Sequence, residues 1–440
     1  MCEKYLEHLV TGSIDAHKDS QRAWVKDKGP VVESNLGWIE TYVDPANVRA
    51  YWEGMVAIVD KEKSKKFADL VTNSEHIIPQ LPWPKEFEKD NFLAPDFTTL
   101  EVICFASNGC PLGINIPNYD DIRCNEGFKN VYLGNAMPSV SMTTVQFATP
   151  EQAKIMCENT LRCYEVHVAC HELLGHGTGK LLYRAADGSQ GRYTDPINGE
   201  PFESCYEEGE VWNTKFGAIS TSYEECRADT VGFYLCTVKD VYDLFGFKDE
   251  EVDQMLWLNV MSQMRKGTLG LPLYNAETGK WGQAHTQGAF VFAMWIYKNQ
   301  KSKIVDFEII GDNEDFLIHL DQELLVSEGK ELIRQLLVVL QTYKSTGAAE
   351  RGKKFYDEYS EVSDFFLKVR EIVIKKKKPR RVDVNNNLVR YSEACIEPRY
   401  YPETFQGLIL SYQDRYTFNK RLYKQITSVW EQSKDHLKVQ

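Results

Sequence analysis

Residues 149–179 read TPEQAKIMCENTLRCYEVHVACHELLGHGTG, and this stretch sets out both a helix and its chemistry. Thr149 is an N-cap candidate, Pro150 suits a first helical position where no N–H is needed, and Gln152 completes a capping box. The helix predicted from there stops at Gly175, Gly177 and Gly179. Its end is His171-Glu172-Leu173-Leu174-Gly175-His176, two imidazoles flanking a carboxylate, the groups that ligate a divalent metal and activate a water. At the four-residue spacing of HExxH two such imidazoles stand about 40° apart around a helix; at this five-residue spacing they stand about 140° apart. Both reach one ion only if the helix takes in an extra residue, as a π-bulge or a distorted last turn, which Gly175 permits. Without a third ligand, the same residues would read as a helix C-terminus with one buried and one capping histidine.

The third ligand is offered downstream by Tyr223-Glu224-Glu225-Cys226-Arg227-Ala228-Asp229. On the helix predicted to start near Ser222, Glu225 and Asp229 share one face and Glu224 is rotated from Glu225 by about 100°. One carboxylate can bind a metal while another orients an imidazole ligand. A solvated acidic face is the plainer reading of a Glu-Glu pair, but the flanks are apolar. Buried carboxylates need compensation, and a metal supplies it.

The 440 residues allow two or three cores, or one large two-lobed body. Hydrophobic residues at 43% and charged residues at 26% suit a globular enzyme and exclude a disordered chain. A net charge of −13 argues against general nucleic-acid binding. The eleven cysteines are odd in number and scattered, with no CxxC pair, which points to a reducing, cytoplasmic compartment. No signal-peptide pattern opens the sequence and no apolar run is long enough to span a membrane.

The opening 25 residues read as a helix already in progress, Lys61–Ser74 as a charged amphipathic helix, and Thr98–Ser107 as a strand. Ala186–Glu200 is hairpin-like. The helix from Ser222 is predicted to run on through residue 245, and helical periodicity continues to about Lys378, including Lys330–Tyr343 and Val362–Lys376. The fold class is mainly α with a minor β part.

HELLGH followed by EECRAD resembles the zinc-binding pair of the dipeptidyl peptidase III family, zinc exopeptidases with an HExxGH motif. Similar segments recur in order along nearly the whole chain, among them KDKGPVVESNLGWIE, GINIPNYDDIR, EGFKN, TKFGAISTSYEECRAD and QAHTQ. The resemblance implies a two-lobed metallopeptidase, with a helical upper lobe carrying one Zn2+ and an α/β lower lobe with β-barrel elements, incomplete here. It divides the chain into 1–53 (lower lobe), 54–97 (upper), 98–145 (lower, with a substrate loop), 146–378 (zinc-binding upper) and 379–440 (lower). It implies His171, His176 and Glu225 as metal ligands, Glu172 as general base, and Glu224 and Asp229 as acids that orient the ligands. His285 would stabilise the tetrahedral intermediate, Glu33, Asn115 and Asn118 would hold the substrate's free N-terminus, and Arg380, in the basic run 375–381, its carboxylate. An extended peptide would pair with an edge strand near Thr98–Ser107.

The resemblance implies short oligopeptide substrates cut into dipeptides, a monomer, and no nucleic-acid or membrane partner. Residues 197–200, Ile-Asn-Gly-Glu, lack the ETGE sequence by which some members bind an adaptor, so that partner is not expected. Three departures stand out. The family's long N-terminal region is missing, which reads as a fragment, an incomplete gene model or a truncated paralogue. Asn35 stands where the family has a catalytic tyrosine, and Ala289 where it has a cleft arginine. The alternative function is therefore a catalytically impaired paralogue that retains the zinc site; a third is a peptidase of altered register.

Overall fold

A computed structural model describes residues 1–40, 51–92, 95–106, 110–117, 119–136, 145–185, 193–201, 205–378, 384–393 and 395–415, with a few positions beyond 415. Helices dominate, and a five-stranded sheet built from the first third of the chain supplies most of the β structure.

The opening segment is two helices where one was predicted. Helix α1 (Cys2–Thr11) ends at Gly12, whose φ of 73° only glycine adopts readily, and Ser13 caps α2 (Ile14–Lys26) by accepting from the Ala16 N–H. Strands β1 (Val32–Glu40) and β2 (Tyr51–Asp60) follow, then α3 (Lys61–Thr72), β3 (Asp96–Ala106), β4 (Gly113–Ile116) and β5 (Lys129–Leu133). Their order is β1-β2-β3-β5-β4, antiparallel except for β3 beside β5. Alternation places Met55, Ala57, Leu100, Val131 and Leu133 on one face, packed with Trp24 of α2. On the other face Phe97 and Tyr132 meet Phe67 of α3 and join the helical core. The boundaries expected at 53/54 and 97/98 thus fall inside β2 and β3, because one sheet serves both cores.

Strand β3 is not an edge over its whole length. Its first half, to Leu100, lies between β2 and β5. Past Leu100 its outer side is met by side-chain amides: Asn135 exchanges two hydrogen bonds with the Val102 backbone and Asn385 two with that of Phe105.

Helix α4 (Pro150–Cys170) starts as the sequence dictates, with Thr149 and Gln152 forming the capping box. The helix predicted from Ser222 is α5 (Ser220–Leu235), and it breaks before a short helix at Lys239–Leu244. Around α5 pack α6 (Asp249–Leu269), α7 (Ala284–Asn299), α8 (Lys330–Ser345), α9 (Ala349–Ser360) and α10 (Asp364–Lys375). Helix α7 buries every residue from Gly288 to Ile296, as an all-apolar central helix should. Ala289 lies inside that packing, its backbone close against Gly267 of α6, so the position does not face a cleft. Helical periodicity missed a hairpin, Val305–Ile310 with Asp315–Leu320, that buries one face against the helical core. No helix among the described residues is long and apolar enough to cross a membrane.

Candidate metal centre

Helix α4 runs directly into a π turn, His171–Gly175, closed by the His176 N–H bonding the His171 carbonyl at 3.1 Å. The added residue per turn brings the two imidazoles round to the same side. Glycine is required at 175 because α5 crosses there: a Cβ would lie 2.9 Å from the Cα and Cβ of Ala228.

His171 Nε2 and His176 Nε2 lie 3.4 and 3.7 Å from Oε2 of Glu225. Donors about 2.0–2.1 Å from one tetrahedral ion are separated by about 3.3–3.4 Å, so these three atoms fit a shared ion with small adjustment. Glu172 joins the group, since one donor atom each from His171, Glu172 and His176 lie within 4.8 Å of one another. His285 closes the remaining side, with Nε2 3.2 Å from Glu225 Oε2 and Nδ1 3.0 Å from the amide of Gln283. Its side chain is 26% exposed against 9% for His171, so the site opens on the His285 side.

The second nitrogen of each ligand imidazole is held by a carboxylate, which fixes the ring and leaves Nε2 for the metal. His171 Nδ1 faces Asp229 at 2.8 Å, and His176 Nδ1 faces Glu224 at 3.3 Å. Asp229 also contacts His167, Gln263 and Lys266, at 3.2, 2.9 and 3.3 Å. His167, His171 and Asp229 also lie close enough to hold an ion. The Lys266 ammonium beside Asp229 disfavours a cation there, and hydrogen bonds account for the arrangement.

Charge follows from this geometry. Burial alone would raise Glu225, but His285, His176 and His171 hold it well below the ordinary carboxylate range. Burial likewise opposes ionisation of Glu224 and Asp229, and Arg227 with Lys344, and Lys266 with His171, keep them well below that range. Burial disfavours a charged His171, yet Asp229 lifts it well above the ordinary histidine value. Glu172 moves the other way: burial raises it, with His171 and His176 offsetting only part. One carboxyl of raised pKa beside three of lowered pKa separates a proton acceptor from the groups that hold charge.

The sheet reaches this site through β4. Gly113 sits so close to Glu172 that a Cβ would lie 2.6 Å from Oε1, and Asn115 Nδ2 donates to the Glu172 carbonyl at 2.9 Å. Asn115 is buried and also donates to Asn130, so its amide N–H groups are spent on the metal-site turn and the neighbouring strand. Glu33 is equally occupied. Its carboxylate accepts from the buried Lys129 ammonium at 2.6 Å, the Trp24 indole at 2.8 Å and the Ser34 N–H at 3.0 Å. Asn35, beside it on the same face, is buried with neither amide atom hydrogen-bonded. Asn118 and Arg380 lie outside the described residues.

Sequence reasoning missed Lys129, His167, Gln263, Lys266 and Lys344, each of which neutralises or orients a site residue. His167 lies on the motif's own helix, one turn before His171, where its i, i+4 spacing could have pointed to it; the others come from other elements, and no local pattern ties them to the motifs.

A π turn presenting two imidazoles, a carboxylate from a neighbouring helix and a fourth buried acid defines a helical metal centre of the HExxxH type. The chain belongs to peptidase family M49, whose profile matches residues 1–416. It is 43% identical over 423 residues to dipeptidyl peptidase 3 of Nematostella vectensis and 39% over 435 to that of Homo sapiens, covering 94% of this chain each time. The chain spans only 58% of the length of either relative. Solved structures of DPP III from Caldithrix abyssi and Corallococcus sp. strain EGB share its fold, with TM-scores of 0.60 and 0.61 at 18% and 17% identity. They match over 83% and 85% of this chain and 63% and 61% of theirs.

Proposed function

We propose that this chain is a zinc-dependent exopeptidase that releases dipeptides from the N-termini of short oligopeptides. The observation that carries the reading is the convergence of His171 Nε2 and His176 Nε2 on Glu225 Oε2, with the Glu172 carboxyl beside them. The family and the named relatives support the reaction and the dipeptide register. Two imidazoles and a carboxylate are a donor set suited to zinc, which would polarise the scissile carbonyl and acidify a water at the open position.

The chain's own groups would do the rest. Glu172, raised by burial, takes the water's proton and returns it to the leaving amine. His285, more exposed than the ligands, donates to the developing oxyanion. Asp229 and Glu224 keep the ligand rings in register. Asn118, and Arg380 at the far end, would fix the peptide's termini. Asn115 and Glu33 would act from within the hydrogen bonds they already make, Glu33 through its pair with Lys129. Cys163, Cys170, Cys226 and Cys236 are buried as reduced thiols, which supports the cytoplasm as its compartment.

A second reading, a relative that keeps the metal but has lost turnover, is favoured by Asn35, a buried amide without partners in place of a hydroxyl donor. Mass spectrometry of products from zinc-loaded protein and an unblocked peptide separates the two, with Glu172→Gln as control. Stepwise N-terminal dipeptides that require Glu172 are the expected products. An intact peptide, from protein that has bound zinc, would favour the second reading.

A further inference from the structure

A helix that ends in a π turn leaves its last carbonyls without backbone donors. Three of them are taken up by different parts of the chain. Glu172 O accepts from Asn115, Leu174 O from the Thr178 hydroxyl, and Gly175 O from Nη2 of Arg227. Arg227 is fully buried. Its Nη2 and Nε also form a fork on Glu224, at 2.6 and 2.9 Å, and its Nη1 reaches Gln341 Oε1 at 3.1 Å. Gln341 is fixed in turn by Ser345, at 2.8 Å.

One guanidinium therefore grips the main chain one residue before His176 and the carboxylate that faces His176 Nδ1. We infer that Arg227 is a positioning residue of the metal centre, clamping the π turn so that His176 Nε2 points at Glu225. It touches no reacting atom, and its role rests on the proposal that His171, His176 and Glu225 bind zinc. The planar fork is what the task requires, because one side chain must meet a carbonyl, a carboxylate and an amide oxygen in different directions. A lysine keeps the charge but is a point donor and cannot span the three. A neutral residue would leave the Gly175 carbonyl unpaired and the charge of Glu224 to Lys344 alone, a loss large enough to threaten folding.

The test compares Arg227→Lys with the parent chain. A second variant, Gln341→Met, unties the Nη1 arm, together with the bond to Ser345, and keeps the guanidinium, so the question survives if the lysine variant does not fold. Leu336→Ala, in the same helical core and more than a turn of α8 before Gln341, is the control for general destabilisation. Zinc affinity is read by competition with a chromophoric chelator, ligand geometry by the visible spectrum of the Co2+ forms, and folding by thermal melts in EDTA. Arg227→Lys is expected to fold and to bind zinc about 10–100-fold more weakly with an altered Co2+ spectrum. Gln341→Met should show a smaller loss and the same spectral change, and Leu336→Ala a lower melting temperature with unchanged affinity. Parental affinity and spectrum in folded Arg227→Lys, or in Gln341→Met where the lysine variant does not fold, overturn the inference. So does an equal loss in Leu336→Ala. A parent chain that takes up no zinc overturns the metal reading first, and this role with it.

Discussion

Gly175→Ala probes the contact that sets the geometry of the centre. The new Cβ would stand 2.9 Å from both Cα and Cβ of Ala228 and 3.0 Å from its carbonyl oxygen. Carbon atoms settle at about 3.5–4.0 Å, so the turn and α5 must separate by roughly 0.6–1.1 Å. The neighbour is backbone and cannot rotate away. Overpacking of this kind costs about 1–3 kcal/mol, against which alanine recovers up to about 1 kcal/mol of helix propensity. The metal-free variant should therefore be destabilised by no more than about 3 kcal/mol and remain folded. Metal binding suffers more, because the same separation stretches the His176–Glu225 distance, already 3.7 Å, and metal bonds tolerate about 0.2 Å. Urea denaturation in EDTA reads the first quantity and chelator competition the second. The expected result is a folded protein whose zinc affinity falls at least about tenfold. A variant that binds zinc as tightly as the parent would refute the claim that close contact of the turn with α5 sets the donor spacing.

Three further outcomes follow from individual contacts. Gly113→Ala puts a Cβ 2.6 Å from Glu172 Oε1; the carboxylate can swing aside, so stability and zinc affinity should hold while turnover drops about a hundredfold, and steady-state kinetics beside chelator competition checks this. Asn35→Leu removes a buried amide without hydrogen bonds at similar volume and should raise the unfolding free energy by about 1–3 kcal/mol; a urea midpoint at or below the parental one counts against that picture of the pocket. Glu224, Glu225 and Asp229 have folded pKa values below their unfolded ones, so the stability they contribute is present above about pH 4 and is lost as pH falls through the depressed values. The metal-free protein should thus keep its near-UV circular dichroism at pH 4 and lose it only in stronger acid, whereas a transition centred well above pH 4 would contradict the pairing.

Much of the site was legible because its chemistry is local. The five-residue gap between His171 and His176 forces an extra residue into the helix, and the Thr149–Gln152 box marks where that helix begins. The apolar flanks of the Glu224–Asp229 segment foretold its burial. What stayed hidden depends on distant partners. Lys129 answers Glu33 from another strand, and Lys344 answers Glu224 from a helix far along the chain. The 305–320 hairpin does carry a period of two in Val305–Ile309, but the run is short and lies between long helices, and Gly12 with the Ser13 cap decides that the opening helix is two. The edge expected at β3 was half right in position, because pairing with β5 covers only its first half.

The central claim is that one metal ion sits among His171, His176 and Glu225, and anomalous diffraction at the zinc edge from zinc-loaded crystals tests it most directly. One peak within about 2.3 Å of the Nε2 atoms of both histidines and of a Glu225 oxygen is the expected result. A peak on the other side of His171, among its Nδ1, His167 and Asp229, or no peak at all, would contradict it.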